Sequence, residues 1–298
     1  MRSIDLLHES HSAHALPAGL RLGAVELTVR HLGTSVHWYQ ESLGLHLHHR
    51  DEDTAALGDG HETVVVLHED PRARPAGRGT AGLYHFALLF PTREELARAG
   101  ARLAAHRTPI EGASDHGYHE AIYLPDPDGN GIELAWDRAR EDWPSDEDKT
   151  AGAPRPLDFP SLMNTIHREP VAERVAPGLR MGHVHLHVGD VAEAVAFYRD
   201  VLGFELKADF GVAAFLRVGD YHHHVAVNVW NGQGATAPAP HTAGLRRWNV
   251  ALPSAGDVEE LRARLTAAGV AFRDLDRGVL TADPFGTAVA FTAAEAVR

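Results

Sequence analysis

Short alternating strands and short amphipathic helices recur in a fixed order along the chain. Residues 23–29 (GAVELTV) and 182–188 (GHVHLHV) alternate in polarity, as half-buried strands do. Each is followed by a segment with an aromatic pair and a Leu-Gly step, at residues 35–45 and 194–204. We predict a short helix in both segments, with an inward aromatic pair and a Gly suited to the helix end.

A second pair of repeats follows the first in each half of the chain. Residues 85–103 and 249–265 each combine a strand with a polar-faced helix, and residues 126–134 and 283–291 each combine an Asp-Pro turn with a strand. Repetition of this kind indicates one structural unit used several times. We therefore predict an α+β fold of four βαβββ modules that begin near residues 21, 80, 180 and 244.

The four modules group into two predicted domains. Modules one and two occupy residues 21–138, and modules three and four occupy residues 180–298. Residues 1–20 are predicted to be a polar, frayed leader. Residues 139–179 are predicted to be a linker, because its first part is rich in proline and charge and shows no apolar period.

Composition narrows the class of protein. The 298 residues suffice for two domains, and the net charge of −13 argues against a nucleic-acid partner. The chain has no cysteine, which excludes disulfides and thiolate metal sites. No apolar run is long enough for a membrane span or a signal peptide, so we expect a cytoplasmic protein without a membrane partner. A homodimer is left open.

The segment SDHGYHEAIYLPDPDGNGIE (residues 114–133) carries the clearest chemical signal. His116 stands seven residues before Tyr123, and an Asp-Pro step, a Gly and then Glu133 follow. This order resembles the signature of the type I extradiol dioxygenases of the vicinal-oxygen-chelate superfamily, apart from Ser114 at its first position. The four modules are similar to the paired βαβββ fold of that superfamily. Residues 114–138, 221–232 and the His183 strand resemble the two-domain catechol-2,3-dioxygenase-like proteins.

This resemblance implies a metal site with ligands at fixed places in paired modules. Two histidines would come from the first strands of two modules and a carboxylate from a last strand. Three equivalent positions in the other modules hold residues that do not continue the pattern: Ala24, Asn249 and Ala290. One complete set remains: His85, Glu133 and His183. Two imidazoles and one carboxylate suit Fe(II), or alternatively Mn(II), with positions left open for substrate.

The resemblance also implies residues that handle protons. His116 would stabilise or protonate an oxygen intermediate, and Tyr123 would hydrogen-bond a substrate oxygen. The run YHHHVAVNVW (residues 221–230) offers a proton shuttle, for which alignment selects His223. Strand alternation instead favours His222 and His224, unless a bulge precedes the strand.

A different metal site is also open from the sequence. His183, His185 and His187 alternate on one strand and could bind zinc by themselves. That reading leaves His85 and Glu133 unexplained.

The resemblance as a whole implies an extradiol dioxygenase that opens a catechol, or a hydroquinone, with O₂. A glyoxalase-type isomerase or lyase on the same fold is the first rival, and it would need a fourth protein ligand such as Glu26. A non-enzymatic protein that binds a small aromatic compound is the second rival, and it would not need the His-Tyr-Glu series.

Overall fold

The structure, a computed structural model, describes residues 15–145 and 152–294, which form two large mixed β-sheets. The eight-stranded sheet contains, from edge to edge, β15 (Phe272–Leu275), β16 (Gly278–Ala282), β17 (Ala288–Ala293), β14 (Gly244–Leu252), β1 (Arg21–Val29), β4 (Thr63–Glu69), β3 (Thr54–Gly58) and β2 (His46–Arg50). The nine-stranded sheet contains β11 (Glu205–Asp209), β12 (Ala213–Arg217), β13 (Val225–Asn228), β10 (Arg180–His187), β5 (Gly82–Leu89), β8 (Gly131–Asp137), β7 (His119–Pro125), β6 (Gly112–Asp115) and β9 (Arg155–Pro156).

Five helices accompany the sheets in the described residues: α1 (Leu32–Glu41), α2 (Arg93–Ala105), α3 (Phe159–Asn164), α4 (Val191–Val195) and α5 (Ala255–Ala267). A π-helical segment, Ala196–Val201, continues α4, and a short 3₁₀ turn covers Arg140–Asp142. Side-chain caps fix the starts of the long helices: Thr92 accepts a hydrogen bond from the Glu95 N–H, and Ser254 forms a capping box with Asp257. None of these helices is long and apolar enough to cross a membrane.

The four predicted βαβββ modules are confirmed, and they begin at Arg21, Gly82, Arg180 and Gly244. Each sheet joins one module from each half of the chain. Strands β1 and β14 pair antiparallel at the centre of one sheet, and β10 and β5 pair antiparallel at the centre of the other. Modules two and three therefore share the nine-stranded sheet, which brings their first strands together.

Modules from the same half are tied by a repeated hydrogen bond between the two motifs that repeat in the sequence. The Tyr39 hydroxyl donates to Asp126 at 3.0 Å, and the Tyr198 hydroxyl donates to Asp283 at 3.1 Å. Both carboxylates also accept backbone N–H groups of their own Asp-Pro turns. The Asp-Pro turn at Asp126 thus has a structural role within the signature segment.

Two segments predicted without structure contain residues that pack against the sheets. Residues 1–14 of the leader lie outside the described residues, but Leu16 and Leu20 are buried in the core. In the predicted linker, β9 pairs with β6 at the sheet edge, and α3 begins at the Asp158 cap and buries Leu162. The apolar pattern missed these elements because they are short and their burial depends on distant partners.

Candidate metal centre and catalytic cavity

The three predicted metal ligands converge from three neighbouring strands of the nine-stranded sheet. His85 lies on β5, Glu133 on β8 and His183 on β10, and all three are buried. Glu133 Oε2 is 3.0 Å from His85 Nε2 and 3.1 Å from His183 Nε2, and the two imidazole nitrogens are 3.3 Å apart. Donor atoms held about 2.1 Å from one ion at right angles would be about 3.0 Å apart. This spacing suits three ligands of a single divalent cation.

The charge states of this cluster also suit a cation. Burial alone would raise the pKa of Glu133, but the surrounding imidazoles, His183 foremost, hold it well below its usual value. Burial lowers the pKa of His183, which favours a neutral ring. The other carboxylate oxygen, Glu133 Oε1, lies 2.9 Å from His119 Nε2. A buried ionised carboxylate beside a neutral imidazole suits a bound divalent cation.

Close approach of β8 to β5 depends on Gly131, which pairs with His85 in the parallel register. A Cβ atom at residue 131 would lie 2.0 Å from the carbonyl oxygen of Tyr84. Any side chain there would push the strands apart. The glycine therefore helps to bring Glu133, two residues later, into contact with His85.

His116 and Tyr123 form a hydrogen-bonded pair on the wall of the same cavity. His116 Nδ1 lies 2.9 Å from the Gly152 carbonyl oxygen, which can only accept, so Nδ1 carries the proton. His116 Nε2 lies 2.8 Å from the Tyr123 hydroxyl. Burial lowers the pKa of His116 and raises that of Tyr123, so both groups are neutral and His116 Nε2 accepts a hydrogen bond from the Tyr123 hydroxyl.

The three consecutive histidines precede β13 and are not part of it, so strand alternation does not decide their directions. His223 and His222 both line the cavity. The ring centre of His223 is 4.2 Å from that of His183. His224 lies apart from this cavity, where its Nδ1 accepts from the Val218 N–H at 3.1 Å.

A chain of hydrogen bonds, which we call the Asp137–His222–His223 relay, holds His223. Asp137 Oδ1 is 3.1 Å from His222 Nε2, and His222 Nδ1 is 2.8 Å from His223 Nδ1. Burial lowers the pKa of His222 to about 4, so the ring is neutral near pH 7 with its proton facing the carboxylate. His222 Nδ1 must then accept from His223 Nδ1–H. The lone pair of His223 consequently lies on Nε2.

His119 and Asp137 adjoin the metal cluster and were not predicted from the sequence. These two residues pair across strands β7 and β8, as Tyr123 and Glu133 do four positions along. His119 is buried between His116 and His222, with ring centres 4.8 and 4.9 Å away. Period-two alternation from Tyr123 and Glu133 was the signal that could have found them.

The cavity that contains these residues has a volume of about 540 Å³. One side is polar and carries the metal cluster and the His116–Tyr123 pair. The lining also includes apolar rings next to these histidines, among them Phe215 and Trp230. A polar floor beside an apolar wall suits a small aromatic ligand that carries polar groups at one end.

A sequence profile of the Glyoxalase/Bleomycin resistance protein/Dioxygenase superfamily matches residues 21–134 and 180–291. The chain belongs to this superfamily. Catechol-2,3-dioxygenase of Bacillus subtilis (strain 168) is a similar member, 36% identical over 268 residues, which are 88% of this chain and 93% of that protein. Biphenyl-2,3-diol 1,2-dioxygenase 3 of Rhodococcus globerulus is 30% identical over 127 residues, which are 39% of this chain and 63% of that protein.

Two solved structures share the fold of this chain. A structure from Bacillus subtilis subsp. subtilis str. 168 has a TM-score of 0.64 at 15% identity, covering 92% of this chain and 85% of that chain. Glyoxalase I from Zea mays has a TM-score of 0.57 at 18% identity, covering 92% of both chains. At these identities the likeness concerns the fold alone.

The residues that the sequence offered as alternative metal ligands, Glu26, His185 and His187, have other partners. Glu26 lies in the eight-stranded sheet, where it binds Arg247 at 2.7 Å and His68 at 3.1 Å. His185 and His187 are both hydrogen-bonded to Asn228, at 2.9 and 2.8 Å. Glu26 therefore does not supply a fourth ligand, and the described geometry gives the three-histidine zinc site no support.

Proposed function

We propose that this chain is an extradiol dioxygenase, which opens the ring of a catechol with O₂ and uses Fe(II). The main support for this proposal is that the His85–Glu133–His183 cluster lies in the same cavity as the His116–Tyr123 pair and His223. The similarity to catechol-2,3-dioxygenase over most of both chains supports the same reaction class. The substrate class would be small aromatic diols, with O₂ as co-substrate.

The three ligands fit a divalent metal, and Fe(II) is the proposed ion, with Mn(II) as the alternative. When bound, the metal would lower the pKa of a coordinated hydroxyl and bring the diol and O₂ to one centre. The protein's part is to supply an ionised Glu133 and a neutral His183, and to exclude water from a largely buried floor.

The proton-handling roles follow from the hydrogen-bond pattern. His223, with its lone pair on Nε2, would accept a proton from a catechol hydroxyl as general base. Tyr123, whose pKa is raised by burial, would keep its proton; when substrate binds, its single O–H would turn from His116 Nε2 and donate to a substrate oxygen. His116 Nε2, released from that hydrogen bond, would then exchange a proton with the oxygen intermediate.

A glyoxalase-type isomerase is disfavoured because Glu26 is engaged in the other sheet. Among the described residues, the metal cluster itself contains one carboxylate, that of Glu133. The cluster therefore fits a metal site with three protein ligands and coordination positions left for substrate, and not a site with four protein ligands.

Isotope labelling tests this proposal directly. Iron-loaded protein and catechol would be incubated under ¹⁸O₂, and the ring-opened product would be analysed by mass spectrometry. One labelled oxygen in the new carboxylate and a second in the ring-opened carbonyl, without an external reductant, are the expected result; the carbonyl label is measured at early times because carbonyl oxygen exchanges with water. A new carboxylate without label would reject the dioxygenase assignment.

A further inference from the structure

A buried asparagine is hydrogen-bonded to two histidines beside the metal cluster. His185 and His187 lie on β10, and Asn228 is the last residue of the neighbouring strand β13. Asn228 is completely buried. Its amide contacts both rings, because Oδ1 is 2.8 Å from His187 Nδ1 and Nδ2 is 2.9 Å from His185 Nε2. These contacts determine where the proton on the His185 ring lies.

The backbone sets the orientation of the Asn228 amide. The Trp230 N–H donates to Asn228 Oδ1 at 2.9 Å, and a backbone N–H can only donate. The amide oxygen therefore faces Trp230, and the NH₂ group faces His185. Because an NH₂ group can only donate, His185 Nε2 must accept from it. The His185 ring is consequently neutral and carries its proton on Nδ1.

The proton-bearing nitrogen of His185 is open to the catalytic cavity. His185 lines this cavity, and its ring centre is 5.0 Å from that of the predicted ligand His85. Within residues 15–145 and 152–294, His185 Nδ1 makes no hydrogen bond, and it is not among the side-chain nitrogens that surrounding atoms seal off. A buried ring with a free N–H is best satisfied by an acceptor that binds in the cavity.

This donor differs in kind from the Asp137–His222–His223 relay. The relay ends on a carboxylate and presents the His223 lone pair to the cavity, so it can take up a proton. The His185 ring ends on an amide, which neither supplies nor takes up a proton near neutral pH. His185 is therefore suited to hold an oxygen atom by a hydrogen bond and not to transfer a proton to it.

From this arrangement we propose that His185 is a further binding residue of the catalytic site and that Asn228 is its positioning residue. The His185 Nδ1–H donates a hydrogen bond to an oxygen atom held beside His85, which belongs either to the diol or to O₂. Asn228 keeps the ring in the tautomer that presents this donor. This inference rests on the proposed function, because it assumes that the diol and O₂ bind at the His85–Glu133–His183 cluster.

The tautomer of His185 can be measured without any reaction. Protein labelled with ¹⁵N-histidine and loaded with diamagnetic Zn(II) would be studied by NMR, and the His185 signals would be assigned with His185→Phe. Nδ1 should show the chemical shift of a protonated nitrogen and Nε2 that of a bare one. In Asn228→Asp, whose carboxylate accepts a proton-bearing Nε2, the two shifts should exchange. The opposite tautomer in the parent protein would overturn the inference.

Binding and kinetics test the donor itself. The Kd of catechol would be measured without oxygen on iron-loaded protein, and kcat/KM for O₂ would be measured over a range of oxygen concentrations. His185→Phe keeps a ring and removes the N–H, so it should raise the Kd of catechol or lower kcat/KM for O₂ by about 10- to 100-fold. A higher Kd identifies a diol oxygen as the acceptor, and a change confined to kcat/KM identifies O₂. No change in either quantity would overturn the inference.

Further variants separate the hydrogen bond from the packing of the ring. His185→Gln restores an N–H and should lose less than about fivefold, whereas Asn228→Asp keeps the ring and should lose about as much as His185→Phe. His187→Phe is the matched control, because the Trp230 N–H still orients the Asn228 amide, and it should lose less than about twofold. Equal losses in His185→Gln and His185→Phe would reject the donor role and indicate packing alone.

The proposed function and this inference can fail separately. Weaker catechol binding in His185→Phe, without oxygen uptake by the parent protein, would reject the dioxygenase reaction and retain the donor. Turnover of catechol by the parent protein, with Kd and kcat/KM unchanged in His185→Phe, would retain the reaction and reject the donor.

Discussion

Removing the middle member of the Asp137–His222–His223 relay should impair catalysis while leaving the metal in place. In His222→Leu, His223 Nδ1 loses its acceptor, and its proton is no longer held away from Nε2. The tested protein is the double variant His222→Leu/Asp137→Asn, because His222→Leu alone would leave the buried Asp137 carboxylate without its histidine partner. A correctly placed general base contributes about 100- to 10,000-fold, so kcat on catechol should fall by that factor, or about 2.7–5.4 kcal/mol in activation free energy.

The assay compares two substrates. 4-Nitrocatechol already has one ionised hydroxyl near neutral pH, so it has less need of a base, and its kcat should fall less than about tenfold. Iron content would be measured in parallel and should stay at that of the parent protein. Tyr221→Phe is the control, because it removes the hydrogen bond to Asp137 Oδ2 and keeps the ring that packs on His222. Equal losses on both substrates, or no loss, would refute the relay as the device that orients His223.

Three further predictions concern the metal, the strand contact and acid stability. Glu133→Ala should abolish iron retention, measured by elemental analysis after desalting, and normal iron content in that variant would contradict the proposed triad. Gly131→Ala should lower the free energy of unfolding by at least about 2 kcal/mol and weaken iron binding, because the new Cβ would meet the Tyr84 carbonyl oxygen. Gly112→Ala is the control, because the space around its Cβ is open, and it should change neither stability nor iron binding. Burial lowers the pKa values of seven histidines: His116, His183, His185, His187, His222, His223 and His224. As pH falls, the unfolded form of the metal-free protein therefore binds protons before the folded form does. The free energy of unfolding should be at its full value above about pH 6.5 and should fall as pH drops toward the histidine pKa values of the folded state. His222 alone, with a folded pKa of about 4, contributes about 3 kcal/mol to this loss, and urea denaturation that shows no loss between pH 7 and 5 would disprove the prediction.

The fold could be predicted from the sequence because its modules repeat. Strand alternation and the recurrent Tyr and Asp-Pro positions identified four modules. The resemblance to the superfamily implied where ligands would lie, and comparison among copies left His85, Glu133 and His183 as the complete set. These residues sit on central strands, where the register determines the direction of each side chain. Their convergence is a structural finding, while their roles stay predictions.

The parts that the sequence left undetermined depend on contacts between distant segments. The direction of His223 is set in a bend before β13 and by Asp137, which lies 85 positions from His222, so local alternation could not decide it. Helix α3 and strand β9 were missed because a short segment carries too few apolar positions to show a period. The tautomer of His185 depends on Asn228, which lies 43 positions away, so the alternation of histidines on β10 gave no signal of it.

Oxygen consumption by iron-loaded protein is the most direct test of the central claim. The protein would be reconstituted anaerobically with Fe(II), and oxygen uptake would be recorded on adding catechol or a substituted catechol, with Zn(II)-loaded protein and Glu133→Ala as controls. The account predicts one O₂ consumed per ring opened by the iron form and none by either control, because zinc has no redox chemistry and the variant lacks a ligand. No uptake with any catechol, in protein that holds one iron per chain, would contradict it.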